Sequence, residues 1–271
     1  MPERSYDPVA RRVEALADQG RKVETIGVVE GHPVFCIRAG RPRRLRILLT
    51  GGVHGDEPAG VEAVLRFFEE DAEPWLGQVE FIALPCVNPV GYVRGTRENG
   101  AGADINRSFE SGGVPEVDLV KKVLEGCRLD AFVDCHEDWE ADGFYMYEGL
   151  RQGPAAGPAV IAEVAEQASI DPDSGEDSEP VSPGVYEISP SWGLVGFAPH
   201  VLNRHAPRAC IFETPTKWPL EKRAAVHRVG LGAALRHWTG ETGVSADHGV
   251  KRGVRKPCRE AVFPLKSRPG P

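Results

Sequence analysis

The sequence has little of what a membrane-bound or secreted protein needs. No apolar run approaches the roughly 18 residues of a membrane-spanning helix. The first residues, MPERSYDPVARRVEALADQG, predict an amphipathic helix rather than a signal peptide. The six cysteines, at positions 36, 86, 127, 135, 210 and 258, lack the paired spacing of a zinc ribbon or a disulfide framework. We therefore expect a soluble, cytoplasmic protein in which most of the cysteines are buried thiols.

The sequence also lacks an excess of positive charge. It has 32 lysines and arginines against 40 aspartates and glutamates, with a formal net charge of −8 and a pI of about 5.6. A surface of this sign repels polyanions, so nucleic acid is not an expected partner. With 271 residues, 41% of them hydrophobic, the chain can bury a substantial core. We predict a single catalytic domain at 1–245 and a basic, flexible tail at 246–271, and the oligomeric state stays open.

Strand-like and helix-like segments alternate along the chain. The runs RLRILLT, VEFIALPCV, LDAFVDC and RACIFET are typical of buried strands, and KVETIGVVE with HPVFCIRAG predicts a hairpin. Segments with helical spacing begin near positions 57, 114, 158 and 219. This order predicts an α/β fold with a mainly parallel central sheet flanked by helices on both faces. Two segments do not fit the alternation: we expect 91–113 to be a loop that serves a site and 171–190 to be a surface insertion.

Polar side chains follow three of the predicted strands. His54 and Glu57 come after RILLT, His136 follows AFVDC, and Glu213 closes ACIF. Ligands of open α/β sheets lie beyond the carboxyl ends of the strands, so these residues are expected to share a site. Two imidazoles and a carboxylate are the ligand set of a catalytic zinc that keeps one position open for water. The spacing of His54 and Glu57 alone is more typical of a solvated histidine and a capping glutamate.

Glu213 ends a strongly apolar run, where an unpaired carboxylate is costly to desolvate. One interpretation makes it the base beside a metal-activated water. The other makes it the structural partner of Arg204 or Arg208.

The segment NPVGYVRGTRENGAGADINRSFE concentrates hydrogen-bond donors. Arg97, Asn106 and Arg107 are the groups that a pocket for a substrate carboxylate needs. Composition alone favours a simpler interpretation, in which the arginines pair at the surface with the carboxylates at positions 98, 104 and 110.

A set of segments, in order, resembles the zinc metallocarboxypeptidases of the carboxypeptidase A type. They are GGVHGDE, NPVGY, TRENGAGADINRSF and, more weakly, DCHED with IFETP, which together span roughly residues 45–215. The short chain is similar to the small bacterial members, including murein peptide amidases. Succinylglutamate desuccinylases and aspartoacylases are relatives with the same elements. The resemblance implies a mixed, mainly parallel sheet between helices.

The resemblance also implies one zinc ion per chain and a role for seven side chains. By matching motif, the resemblance implies that zinc is bound by His54, Glu57 and His136 and that Glu213 is the general base. It also implies that Asn106 and Arg107 hold the substrate's terminal carboxylate and that Arg97 faces the scissile carbonyl. The glycines before His54 would let the chain turn tightly at the strand end.

The chain departs from the family pattern in places. Val90 stands where an aspartate is common in the N-P-D-G stretch. The tyrosine that covers the substrate in many members is not identifiable, and Tyr186 and Trp192 are candidates with an equally plausible packing role. Glu137 and Asp138, after the second histidine, could select cationic substrates or orient the ligand histidines.

The leading hypothesis is a zinc metallocarboxypeptidase that releases a carboxy-terminal residue. The alternative is an N-acyl amino acid deacylase of the aspartoacylase or succinylglutamate desuccinylase type. A metal- or peptide-binding module without turnover is a third possibility, and a purely structural domain a fourth. The expected partner is a peptide or a small acylated amino acid with a free carboxylate, and the sequence does not identify the residue or acyl group that is removed.

Overall fold

A computed structural model describes residues 4–41, 44–174, 178 and 180–240, and within them nine strands pair into one sheet. The predicted tail at 246–271 and Cys258 lie outside the described residues. The strands are β1 (Lys22–Val29), β2 (His32–Gly40), β3 (Leu45–Gly51), β4 (Val79–Leu84), β5 (Ala131–Asp138), β6 (Tyr145–Leu150), β7 (Pro180–Ser182), β8 (Val185–Glu187) and β9 (Arg208–Pro215).

The sheet is mixed, with a parallel centre. Its strand order is β1-β2-β4-β3-β5-β9-β6-β8-β7. The four central strands, β4, β3, β5 and β9, run parallel, whereas β2 and β6 pair antiparallel with the two ends of this group. The predicted fold class is therefore confirmed, and β1 and β2 form the predicted hairpin.

Seven α-helices are present in the part of the chain that the structure describes. They are α1 (Asp7–Ala15), α2 (Pro58–Arg66), α3 (Pro89–Arg94), α4 (Pro115–Leu124), α5 (Gly157–Ala165), α6 (Phe197–Arg204) and α7 (Leu220–Thr239). Among these described residues, no helix has the length and apolar character needed to cross a bilayer.

Two hydrophobic cores form, one on each face of the sheet. The first contains apolar side chains of α1, α2, α5 and α7, and the second contains those of α4 and α6. Since strand side chains alternate between faces, Ile47 and Leu49 of β3 enter the first core and Leu48 enters the second. Every residue of β3 is buried. This explains why the parallel strands read as continuous apolar runs.

The prediction of a surface insertion at 171–190 is wrong. These residues contain β7 and β8, and β8 pairs with β6 near the edge of the sheet. Val185 and Tyr186 are buried there. Strands of three residues are too short to show an alternating pattern, and the acidic, proline-rich composition of the segment is typical of loops rather than strands.

Four of the cysteines, Cys36, Cys86, Cys135 and Cys210, are buried free thiols, as expected. The loop expected at 91–113 is mostly irregular after the end of α3, with one 3₁₀ turn at Ile105–Arg107.

Candidate metal centre and active site

The candidate metal ligands lie at the carboxyl ends of neighbouring parallel strands. His54 and Glu57 occupy the connection between β3 and α2, and His136 lies near the end of β5. The backbone at Gly52 has φ of 60°, a left-handed conformation that suits glycine. A side chain at Gly51 would place its Cβ 2.4 Å from the carbonyl carbon of Gly60 in α2. Glycine at both positions therefore permits the tight turn and the close approach of the helix.

The three ligands converge with their metal-binding atoms. The Nδ1 atom of His54 is 2.6 Å from Glu57 Oε1, and the Nδ1 atom of His136 is 2.7 Å from Glu57 Oε2. The side chains are buried, and a ligand atom from each lies within 4.8 Å of the others. Two imidazoles and one carboxylate in this arrangement fit the donor set of a catalytic zinc.

A carboxylate faces the second nitrogen of each histidine. The Nε2 atom of His136 lies 3.0 Å from Asp134 Oδ2, and the Thr50 hydroxyl donates to Asp134 Oδ1 at 2.5 Å. The Nε2 atom of His54 lies 3.5 Å from Asp104 Oδ1. A carboxylate at Nε2 favours a proton on that nitrogen and leaves the Nδ1 lone pair for a metal.

The electrostatics of the cluster favour a cation. Burial by itself would raise the pKa of Glu57, but the charges of His54 and His136 and their hydrogen bonds lower that pKa to about 2. Burial would lower the pKa of both histidines; the attraction of Glu57 and the aspartates outweighs it and raises the pKa of each ring. A site that favours protons on these rings also favours a divalent cation between them.

Glu213 lies beside the metal cluster. In the register of the parallel strands β5 and β9, it is the partner of His136. Among the described residues its carboxylate makes no hydrogen bond or ion pair, so the predicted alternative of a pair with Arg204 or Arg208 is not present. Burial, together with the negative charges of Glu57 and Asp138, raises the pKa of Glu213 well above its ordinary value, against the opposing effect of His136.

The three predicted donors line the same cavity. The Nε atom of Arg97 contacts Asp104 Oδ2 at 3.1 Å, so the predicted arginine–carboxylate pair forms, but it forms beside the metal cluster. The Asn106 side-chain oxygen accepts the Phe197 backbone N–H at 2.8 Å, which leaves the amide NH₂ as a donor. Arg107 is exposed and also lines the cavity.

The structure brings all seven sequence-predicted residues to one cavity of about 430 Å³. The rest of its lining was mostly not predicted: Glu137, Asp138, Trp139, Tyr145, Tyr147, Trp192, Val195, Gly196, Pro199 and Ile211. Trp192, one of the two candidates for a substrate-covering side chain, is therefore placed at the cavity. Tyr186, the other candidate, is buried and donates its hydroxyl to the Pro172 carbonyl. A packing role fits Tyr186.

Glu137 and Asp138 contact groups other than the ligand histidines. Glu137 forms an ion pair with Arg223 and accepts the Ala59 N–H at 2.6 Å, and Asp138 accepts the Tyr145 hydroxyl at 2.8 Å. The suggestion that these two carboxylates orient the histidines is wrong, because Asp104 and Asp134 occupy that position. The sequence held a signal for Asp134, since it precedes His136 by two residues in a strand and so lies on the same face.

Comparisons with known proteins agree with this geometry. Residues 44–120 match the model of the succinylglutamate desuccinylase/aspartoacylase catalytic domain. A candidate metallopeptidase from Shewanella denitrificans is 24% identical with a TM-score of 0.76, over 86% of this chain and 90% of that chain. A metallo-carboxypeptidase from Burkholderia cenocepacia is 20% identical with a TM-score of 0.68, over 88% of this chain and 70% of that chain. A search of the curated proteins gives no match.

A metallo-carboxypeptidase from Pseudomonas aeruginosa, solved in complex with (2-guanidinoethylmercapto)succinic acid, has 20% identity and a TM-score of 0.66, over 88% of this chain and 70% of that chain. Over residues 44–120 the family match confirms the resemblance to succinylglutamate desuccinylase, and the solved structures share the carboxypeptidase-like fold. The family match and the His–Glu–His cluster together support a metal-dependent hydrolase.

Proposed function

We propose that the protein is a zinc-dependent metallocarboxypeptidase, with one zinc ion per chain, that hydrolyses the carboxy-terminal peptide bond of its substrate. The observation that supports this proposal is the content of one cavity. It combines the His–Glu–His cluster, a carboxylate without a partner among the described residues, and two groups able to bind a carboxylate, Asn106 and Arg107. These are the parts that amide hydrolysis next to a free carboxylate requires.

A zinc ion held by His54, Glu57 and His136 would act as a Lewis acid and lower the pKa of a water molecule. Glu213 accepts the proton of the attacking water and returns it to the leaving amine. Burial raises the pKa of Glu213 and a bound cation would lower it, so Glu213 could act as a carboxylate that accepts a proton and then releases it.

The remaining residues position the substrate. Asn106 donates its amide and Arg107 its guanidinium to the terminal carboxylate, which sets the register of the chain in the cavity. The Arg97 guanidinium lies at the edge of the metal cluster, 3.8 Å from Glu57 Oε1, and donates to the oxygen of the scissile carbonyl as negative charge develops.

A second function, deacylation of an N-acyl amino acid, is favoured by the family match at residues 44–120. The same groups would act in it, since the bond is again an amide next to a carboxylate. The two functions differ in whether the cavity accepts a peptide or only a small acyl group.

The two functions are distinguished with a substrate panel. Purified full-length protein is analysed for metal, then assayed on N-acetylated dipeptides and on N-acetyl and N-succinyl amino acids, with and without a chelator. We expect about one zinc per chain and chelator-sensitive release of the carboxy-terminal residue from the dipeptides. Cleavage of the acyl amino acids alone would replace the peptidase with the deacylase, and the absence of bound metal would refute both.

The role of Glu213 is tested with Glu213→Gln. The amide cannot accept the proton of water, so we expect turnover to fall by roughly 10²–10⁴-fold. Zinc content should be unchanged, because Glu213 is not one of the three ligands. Retained turnover would contradict the role of Glu213 as the base.

A further inference from the structure

The loop from Arg97 to Asp104 begins and ends with residues that contact the same metal ligand. Arg97 Nη1 lies 3.2 Å from His54 Nδ1, and Asp104 Oδ1 lies 3.5 Å from His54 Nε2. Arg97 Nε also contacts Asp104 Oδ2 at 3.1 Å, so the two ends of the loop meet beside His54. The approach of both side chains to the metal cluster therefore depends on how the residues between them are folded.

Asn99 closes this loop with its side chain and its backbone. The side-chain oxygen accepts the N–H groups of Ala101 and Ala103, at 3.0 and 2.9 Å. The backbone N–H donates to the Ala103 carbonyl at 3.0 Å, and the Asn99 carbonyl accepts the Gly102 N–H at 2.9 Å. Asn99 is buried, so water competes little for these bonds. One residue thus fixes the turn that brings the two ends of the loop together.

The amide nitrogen of Asn99 is held by a different element. Asn99 Nδ2 donates at 2.9 Å to Oε2 of Glu116, which lies in the first turn of α4 and has no exposed surface. The other oxygen of Glu116, Oε1, has no hydrogen-bond partner among the described residues. A buried carboxylate with an unpaired oxygen is costly for stability. Costs of this kind are expected where a side chain serves a functional site.

We infer that Asn99 is a positioning residue of the site and that Glu116 orients its amide. Asn99 is not among the described residues that line the cavity, so it acts through the two ends of the loop. The effect through Arg97 rests on the proposed function, in which Arg97 donates to the scissile carbonyl. The effect through Asp104 on His54 concerns metal binding alone and does not depend on the substrate.

The variant Asn99→Asp tests this inference. It keeps an oxygen for the N–H groups of Ala101 and Ala103, but it loses the donor to Glu116 and places a second carboxylate against that of Glu116. The turn should therefore shift, and the two ends of the loop should move away from the metal cluster.

Two measurements report on the two ends. Loss of a whole oxyanion donor lowers kcat by roughly 10²–10³-fold, so a displaced Arg97 should lower kcat on an N-acetylated dipeptide by about tenfold or more. KM should change little, because Arg97 acts on the charge of the transition state and Asn106 has its own anchor on α6. The zinc dissociation constant, measured by competition with a chelator, should rise, but by less than the roughly 10–100-fold expected when an orienting carboxylate such as Asp104 is itself removed.

A second substitution should reverse both effects. In the double variant Asn99→Asp with Glu116→Gln, the new amide at position 116 can donate to the new carboxylate at position 99, so donor and acceptor are exchanged. Both kcat and zinc affinity should return toward the wild-type values. Glu116→Gln alone keeps an acceptor for the Asn99 amide and should have a smaller effect than Asn99→Asp. Gln167→Glu, the same change from amide to acid at an exposed position outside the cavity lining, is the matched control and should change neither value.

The outcomes separate this inference from the proposed function. Wild-type kcat and zinc affinity in Asn99→Asp would overturn the inference, and so would losses that the double variant does not recover, since they indicate a general packing role. If the wild type hydrolyses no dipeptide, the proposed function fails, and the zinc affinities of the same variants still decide the inference. Asn99→Ala, which adds no charge, replaces Asn99→Asp if that variant does not fold. Unchanged zinc affinity in Asn99→Ala would equally overturn the inference.

Discussion

Removal of the Arg223 side chain should destabilise the protein and weaken metal binding together. Arg223, in α7, pairs with the fully buried carboxylate of Glu137 and is itself only 12% exposed. Glu137 joins two other parts of the site: its Oε1 accepts the Ala59 N–H at the start of α2, and its N–H donates to Glu57 Oε2 at 3.2 Å. The variant Arg223→Met leaves this carboxylate buried without its counter-ion.

The cost of breaking a buried ion pair by removing one partner is about 3–5 kcal/mol. Because Arg223 retains some exposure, we take the lower end, about 3 kcal/mol, which corresponds to a fall in Tm of roughly 6–12 °C for a domain of this size. Thermal denaturation followed by circular dichroism measures it. The control is Lys217→Met, which removes an exposed ion pair with Asp142 and should cost at most about 1 kcal/mol.

Two outcomes would test the reasoning further. The double variant Glu137→Gln with Arg223→Met removes the unpaired charge, so it should recover part of the lost stability relative to Arg223→Met alone. The zinc dissociation constant, measured by competition with a chelator, should rise in Arg223→Met, because Glu137, which hydrogen-bonds to Ala59 of α2 and to Glu57, is no longer held by its counter-ion. Equal Tm values for Arg223→Met and Lys217→Met would refute the assignment of Arg223 as a buried counter-ion.

Two more predictions follow from the charged contacts. In Asp134→Asn, His136 loses the negative charge at its Nε2 atom, so zinc affinity should fall by roughly 10–100-fold in a chelator competition; unchanged affinity would contradict an orienting role for Asp134. Burial alone would raise the pKa of Glu62. The hydrogen bonds and positive charges of Arg12 and Arg66 outweigh this effect and lower the pKa of Glu62 in the folded state. Because the pKa is lower in the folded state, ionised Glu62 stabilises the protein at pH values above its ordinary pKa. This stabilisation is lost as the pH falls through the folded-state pKa. The difference in Tm between wild type and Glu62→Gln should therefore be constant above roughly pH 5 and shrink at lower pH; a difference that grows on acidification would contradict this.

The parts of the fold that the sequence predicted are those buried on both faces. The central strands β3, β5 and β9 each contain an apolar run because each faces two cores. The first polar residues after such runs stand out, and this is how His54, His136 and Glu213 could be grouped before any geometry was available. Parallel strands end at one edge of a sheet, so the grouping follows from topology.

The parts that the sequence did not predict depend on pairing between distant segments. Strand β6 has alternating tyrosines, but only its register against β9 shows that Tyr147 lies opposite Ile211. The β7–β8 hairpin is too short for a periodic signal, and its position depends on pairing with β6. Trp192 ends a short 3₁₀ turn, Pro190–Trp192, before α6, and a turn of three residues has no periodic pattern that predicts its position. The aromatic and apolar part of the cavity lining is therefore a property of the tertiary structure.

The two halves of the site are held in different ways, and this difference bears on which reaction is catalysed. His136 and Glu213 are register partners in adjacent parallel strands, so backbone hydrogen bonds of the sheet fix the distance between the metal cluster and the base. Asn106, by contrast, lies in a loop and is tied to α6 through the single N–H of Phe197. Small changes in that loop or in α6 would move the carboxylate site without disturbing the metal cluster. In the proposed function, the sheet therefore positions the hydrolytic groups, and the loop around Asn106 determines whether a peptide or an acylated amino acid is accepted.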